Sequence, residues 1–231
     1  MRRKFFWLIF FCAAAFFTPA RAQKITPEAW IEDRGRELLK ALADPSMKRR
    51  QGLVLRLAEN SFNAKELSRL AMGRYWVEFS PEQKARFQSL FMRYFVVTYT
   101  AAPLPVQGVT FRVQGTAPSG KDILVKTSVN LASAREFQES LQSANEIISM
   151  SGVSLQATTL TLIFALRGVS DGYYVRDVQV EGQSMLLFLR RKLEDEFKKS
   201  SYDIDVLLEG MDEKIRTAVL NANVLERSEA P

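Results

Sequence analysis

The chain has 231 residues, with 32 lysines and arginines against 26 aspartates and glutamates, one cysteine and no histidine. Without an imidazole, Ser-His-Asp and Cys-His catalysis and His-bearing zinc or haem sites are excluded. Hydrophobic residues at 47% and charged residues at 25% are the proportions of an ordinary globular domain, not of a disordered or fibrous chain.

Residues 1–22 read as a secretory signal cleaved after Ala22. Arg2, Arg3 and Lys4 form a positive start, residues 5–17 carry no charge, and Ala20-Arg21-Ala22 offers small residues on either side of a variable one. The apolar run is shorter than the roughly 20 residues a membrane helix needs, so the mature protein is expected to be soluble. Arg2-Arg3-Lys4-Phe5-Phe6 faintly resembles a twin-arginine signal, but the strongly apolar core fits the general secretory route better. Cleavage removes four of the 32 bases and none of the 26 acids, so the mature balance is 28 to 26, a net of +2 rather than +6. A nucleic-acid reading of the basic total loses its support. Cleavage also removes Cys12, which excludes a disulfide scaffold, a catalytic thiol and an iron–sulfur site.

In chain order, Trp30, Ile31, Leu38, Leu39 and Leu42 recur at helical spacing from Pro27 onward, and Asp44-Pro45 closes that helix. Leu53, Val54 and Leu57 predict a second short helix. Asn63 with Glu66 three residues on predicts a capped helix start, and Gly73 its end. Ser80-Pro81-Glu82-Gln83 is a capping box with proline in the first turn. The helix it opens carries Phe87, Leu90, Phe91, Tyr94, Phe95 and Thr98 as one stripe, with Val96 and Tyr99 beside it, until Pro103 and Pro105 stop it. Such a stripe suits either an ordinary core helix or a ligand-lining wall.

After Pro105 the period changes to two. Val109, Phe111 and Val113, a turn at Pro118-Ser119-Gly120, then Ile123, Val125, Thr127 and Val129 predict a hairpin. Leu160, Leu162, Phe164 and Leu166, a turn at Ser170-Asp171-Gly172, and a strand from Tyr174 to Val180 predict a second one. Between them Phe137, Leu141, Ala144 and Ile148 suggest an extra amphipathic helix. Ser184 caps a helix with Met185, Leu186, Leu189, Leu193 and Phe197 apolar, and Arg190, Arg191, Lys192, Glu194, Asp195 and Glu196 as a solvated charged face. Asp203 begins a last helix, and residues 221–231 read as a flexible tail. The expected fold is α+β: a single domain over residues 23–220, with helices packed on one face of a four-stranded antiparallel sheet.

There is no GxGxxG, GxxxxGK[ST] or GxSxG, so nucleotide binding and esterase chemistry have no local signature. Asp122, Asp171, Asp177 and Glu181 lie in or beside strands. An acid–base pair needs two carboxyls whose environments separate their pKa values, and surface turn acids explain these residues more simply. Asp205, Glu209, Asp212 and Glu213 lack the spacing of a calcium loop, so no metal site and no cofactor are expected.

Two blocks carry a resemblance. Gly172-Tyr173-Tyr174-Val175-Arg176-Asp177-Val178-Gln179-Val180-Glu181-Gly182-Gln183-Ser184-Met185, followed by Arg190, is similar to an aromatic strand, Asp-Val, then acid-Gly-x-Ser entering a helix. Leu70-Ala71-Met72-Gly73-Arg74-Tyr75-Trp76, followed by Ser80-Pro81-Glu82-Gln83-Lys84-Ala85-Arg86-Phe87, is similar to a Leu-Gly-x-Trp and Ser-Pro-x-Gln-x-x-x-Phe segment, with Phe91 and Tyr99 at further aromatic positions. Both resemble the MlaC family of periplasmic phospholipid carriers, also called the toluene-tolerance auxiliary family, over about residues 27–210. The chain departs from the pattern where Phe188-Leu189-Arg190 replaces Asn-Tyr-Arg, and where residues 131–154 look like a helical insertion.

The resemblance implies a non-enzymatic periplasmic protein that shuttles phospholipid between an outer-membrane lipoprotein–porin complex and an inner-membrane ATP-binding-cassette transporter, maintaining lipid asymmetry. A shuttle needs an apolar cleft. Phe87, Phe91, Tyr94, Phe95 and Tyr99 set against Phe111, Val113, Val125, Leu162, Phe164 and Val178 could supply it, with Met185, Leu189 and Leu193 as the other wall. Arg112, Lys126 and Arg176 near the mouth read as single solvated bases. The alternatives are a carrier for another amphiphile such as hopanoid precursors, an enzyme on a cone-like α+β fold using Asp177 as base, and a chaperone that binds protein segments.

Overall fold

The computed structural model describes residues 25–100, 106–133, 135 and 158–228. The signal segment, Pro103, Pro105 and nearly all of the expected insertion lie outside the described residues.

Helix α1 (Pro27–Leu42) starts where Thr26 accepts a hydrogen bond from the Ala29 N–H, with proline in the first turn and Lys40 in the last. Helix α2 (Met47–Ser61) begins earlier than Leu53, Val54 and Leu57 suggest, because Ser46 accepts from the Arg49 N–H and caps it. Asn63 caps α3 (Ala64–Met72) by accepting from the Glu66 N–H at 3.0 Å. The return arm of the expected capping box is replaced by a longer-range role. The Glu66 carboxylate accepts from the Tyr174 hydroxyl at 2.6 Å and from Arg176 at 3.0 Å.

Gly73 ends α3 with a φ of +56°, a conformation that favours glycine, and opens a 3₁₀ turn (Gly73–Glu78). Helix α4 (Pro81–Tyr99) has both arms of its capping box in place: Gln83 N–H to Ser80 Oγ at 3.1 Å and Ser80 N–H to Gln83 Oε1 at 2.9 Å.

Strands β1 (Thr110–Ser119), β2 (Asp122–Asn130), β3 (Thr159–Val169) and β4 (Gly172–Val180) form an antiparallel sheet in chain order. A fifth strand, β5 (Gln183–Ser184), extends the four expected; it folds back on β4 through Glu181 and Gly182, whose φ values are 47° and 80°. The turns are tighter than predicted. Pro118 and Ser119 remain in β1 and Gly172 in β4, leaving Gly120-Lys121 and Ser170-Asp171 as two-residue turns. Helix α5 (Met185–Lys199) is capped by Ser184, which accepts from the Leu187 N–H. Helix α6 (Ile204–Ser228) continues beyond Asn221, where the sequence reading ends it.

Most of the buried hydrophobic residues fall into two clusters. One is entirely helical and includes Phe87, Phe91, Leu189, Leu193, Phe197, Leu208 and Ile215, with Phe79 from the 3₁₀ connection. The other joins Trp30 and Ile31 of α1 to Val125, Leu166 and Val175 of the sheet. Phe62 packs against both, and its backbone bridges to Val175 at the β4 edge.

Candidate functional site

The sheet register gathers most of the predicted strand residues onto one face. Val125 pairs with Phe164, Phe164 with Val178, Thr127 with Leu162, and Leu162 with Val180. Because side chains alternate between faces, Ile123, Val125, Thr127 and Val129 share a side with Leu160, Leu162, Phe164 and Leu166. Phe111 joins them from β1, its ring centroid 6.3 Å from that of Phe164. Phe111 also packs so closely on α1 that a side chain at Gly35 would meet its ring at 2.6 Å. Phe111, Val113, Phe164 and Val178 are half-buried around the α1 cluster.

Leu162 and Val180 continue this face one register step further; both are half-buried, and among the described residues neither packs into either cluster. Thr127, fully buried between them and Val125, donates its hydroxyl to the Leu162 carbonyl at 3.2 Å. The one polar side chain in the row is therefore satisfied internally and leaves an apolar surface.

The aromatic stripe is placed elsewhere. Phe87 and Phe91 stack at 5.4 Å and are 0% and 1% exposed, enclosed by Trp76, Phe79 and the other helices. Helix α4 packs on α6, α2 and α3. The buried part of the stripe and the sheet thus belong to separate clusters instead of facing each other as one wall. Leu189 and Leu193 likewise belong to the helical cluster, while Met185 is half-buried at the start of α5. Tyr94 and Phe95, half-buried, pack on the helical cluster from its margin. The Tyr99 side chain lies outside the description.

Sequence reasoning named Ile123, Leu160, Leu166 and Val180 as strand residues without assigning them to the site. The signal that unites them was the pair of two-residue turns, which fix the register and hence the face.

The charged residues do structural work. Asp122, expected to be a turn acid, is half-buried and binds Arg167 at 2.6 Å and Arg176 at 2.9 Å. Burial alone would raise its pKa, but the hydrogen bonds from both guanidinium groups outweigh it and hold the carboxyl below its ordinary value. Arg176 is therefore not a solvated base; it ties Asp122 to Glu66 of α3. The hydrogen bond to Glu66 and, secondarily, burial raise the pKa of Tyr174. Arg112 and Lys126 are exposed, as expected.

Asp177 accepts from the Val178 N–H at 2.8 Å and the Leu186 N–H at 2.9 Å, pinning the start of α5 to β4. Arg190 leaves the expected solvated face and donates two hydrogen bonds, at 3.0 and 2.6 Å, to the Leu70 carbonyl at the end of α3. A side chain at Gly73 would come within 3.2 Å of the Arg190 Nε. The two motif blocks, about 100 residues apart in sequence, thus meet at one helix-end clamp.

Among the described residues no helix is long and apolar enough to cross a membrane, and no group of three or more acidic residues could hold a metal ion.

The MlaC protein family model matches residues 33–141, which take in the first motif block and first hairpin. The second block lies beyond that match. No curated protein matches the sequence. Among solved structures, the fold is similar to the phospholipid-binding protein from Ralstonia solanacearum in complex with a phospholipid, with a TM-score of 0.60 and 18% identity, covering 84% of this chain and 99% of that one. The first motif block and the family model point the same way: over residues 33–141 the chain is similar to the MlaC protein family.

Proposed function

We propose that this protein is a periplasmic carrier that binds phospholipid acyl chains and shuttles the lipid between membrane complexes. The observation that carries the reading is the apolar sheet face of Leu162, Phe164, Val178 and Val180, which the two buried clusters leave only partly covered. Exposing an acyl chain of about sixteen carbons to water costs on the order of 12 kcal/mol at roughly 0.8 kcal/mol per methylene. A carrier must supply a continuous apolar surface in exchange, and the satisfied Thr127 keeps this one free of unpaired polar groups. The solved relative in complex with a phospholipid supports the same reading.

In this account Leu162, Phe164 and Val178 line the chains, and Phe95 and Met185 stand at the helical margin. Phe87 and Phe91 lie enclosed in the helical core behind that margin. The lipid is exchanged without bond breaking, so no catalytic group is needed. The two backbone hydrogen bonds that Asp177 accepts suit a helix anchor rather than a base. By family analogy the signal segment directs export, and the exchange partners are an outer-membrane lipoprotein–porin complex and an inner-membrane ATP-binding-cassette transporter.

The test is uptake. Protein stripped of lipid, refolded and mixed with phosphatidylethanolamine–phosphatidylglycerol vesicles should take up extractable phospholipid; refolded protein that takes up none contradicts the proposal.

A further inference from the structure

A groove of about 170 Å³ separates α2, α4 and α6, away from the sheet face. Its walls are Leu55, Val96, Val97, Ile215 and Val219. On α2, Lys48, Gln51, Gly52 and Leu55 share one face at i, i+3, i+4 and i+7; on α4, Arg93 precedes Val96 and Val97 by one turn. Lys48 and Arg93 are exposed and pair with no carboxylate among the described residues.

Two independent features point to an occupant. Gln51 is 8% exposed, and its side-chain nitrogen, shut off from solvent, finds no hydrogen-bond acceptor among the described residues. A buried amide donor left in this state is costly, and an acceptor brought by a ligand would relieve it. The second feature is Gly52. Glycine inside a helix is unfavourable relative to alanine, yet a side chain there would meet only the mobile end of Arg56, at 3.7 Å. The fold does not need a glycine at this position, whereas an open groove floor does.

We propose that the groove binds a medium-chain fatty acid. Its carboxylate is held by Lys48 and Arg93 and by the Gln51 amide once that amide turns toward the groove, and its chain lies along Leu55, Val96, Val97 and Ile215. The volume is below the roughly 300–1,000 Å³ of sites that enclose a drug-sized ligand, which favours one short chain over a two-chain lipid. A flat apolar notch for a partner protein would leave both the Gln51 donor and the two cations unexplained.

The experiment titrates butyrate, hexanoate and octanoate into the mature protein loaded with phospholipid, with octanol and inorganic phosphate as comparisons. One carboxylate should bind per protein, tightening by roughly fourfold per added methylene until the groove is full. Gly52→Leu should weaken octanoate at least tenfold with an unchanged circular dichroism spectrum and unchanged phospholipid uptake. Should Gly52→Leu disturb the helix, Gly52→Ala, which helix propensity favours, should still weaken octanoate measurably. Lys48→Ala combined with Arg93→Ala should weaken octanoate but not octanol. The proposal is overturned if octanoate does not bind, if it binds folded Gly52→Leu as well as the parent, or if phosphate binds as tightly as octanoate. It is overturned equally if octanoate displaces the phospholipid, or if folded Gly52→Leu loses phospholipid uptake, because the groove would then be part of the phospholipid site.

Discussion

The helical core and the sheet face are both rich in large apolar side chains, yet they are finished differently. Around Phe87 and Phe91 every surface is covered: Phe79 lies 5.8 Å from Phe87 edge to face, and Phe197 packs against Phe79 and Tyr75. On the sheet, α1 covers Val125, Leu166 and Val175, while Leu162 and Val180 extend past that cover. Closed packing of this kind is how a fold is stabilised, and partial cover is how a surface is kept for a ligand. The comparison teaches that aromatic content alone does not identify the lipid wall; completeness of packing does.

The largest effect should come from opening the closed side. Phe87→Ala should cost about 3–5 kcal/mol, read as a fall in melting temperature of order 10 °C, because it leaves a cavity that the stacked neighbours cannot fill. A shift below about 3 °C would mean that the helical core is as unfinished as the sheet face. Phe91→Asp places a carboxylate in the same closed core and should give an unfolded chain.

On the open side the expectation reverses. Leu162→Asp should abolish phospholipid capture while the circular dichroism spectrum stays native, since the residue has no place in either buried cluster among the described residues. Equal capture by parent and variant would move the acyl chains off this face.

The ion-pair network that joins α3 to the sheet sharpens the comparison through pH. The Asp122 pKa is lowered in the folded state, so its contribution is present above the unfolded value near 3.9 and is lost as pH falls through the lower, folded value. Glu196, where burial raises the pKa but hydrogen bonds from Lys199 and Lys214 outweigh it, has the same sign. Acid titration of parent and Asp122→Asn should therefore give a stability difference above pH 5 that narrows below pH 4; a constant difference would contradict the linkage.

The smallest effect is expected at the helix clamp. Arg190→Lys loses the two-point hold on the Leu70 carbonyl and should cost about 1 kcal/mol, leaving lipid capture intact.

Much of this was legible in the sequence. Periodicity and capping residues gave α1 and α4, and the change to a period of two gave four strands. The unread part was tertiary. Helical spacing shows that Phe87 and Phe91 share a stripe but not whether the sheet or the other helices cover it. A charged residue on a strand or helix looks solvated until a distant helix supplies its partner, as Glu66 does for Arg176 and Leu70 for Arg190. Pro118-Ser119-Gly120 carries turn chemistry and points to a turn starting two residues early, whereas the register closes at Ser119 and Asp122.

The central claim is that phospholipid rests on the partly covered sheet face. Its most direct test is native mass spectrometry, with organic extraction, of the parent and Leu162→Asp proteins after incubation with phospholipid vesicles. The account predicts a parent carrying a mass increment that extracts as phospholipid and a folded variant carrying none. A parent that stays empty, or a variant that carries the same increment, would contradict it.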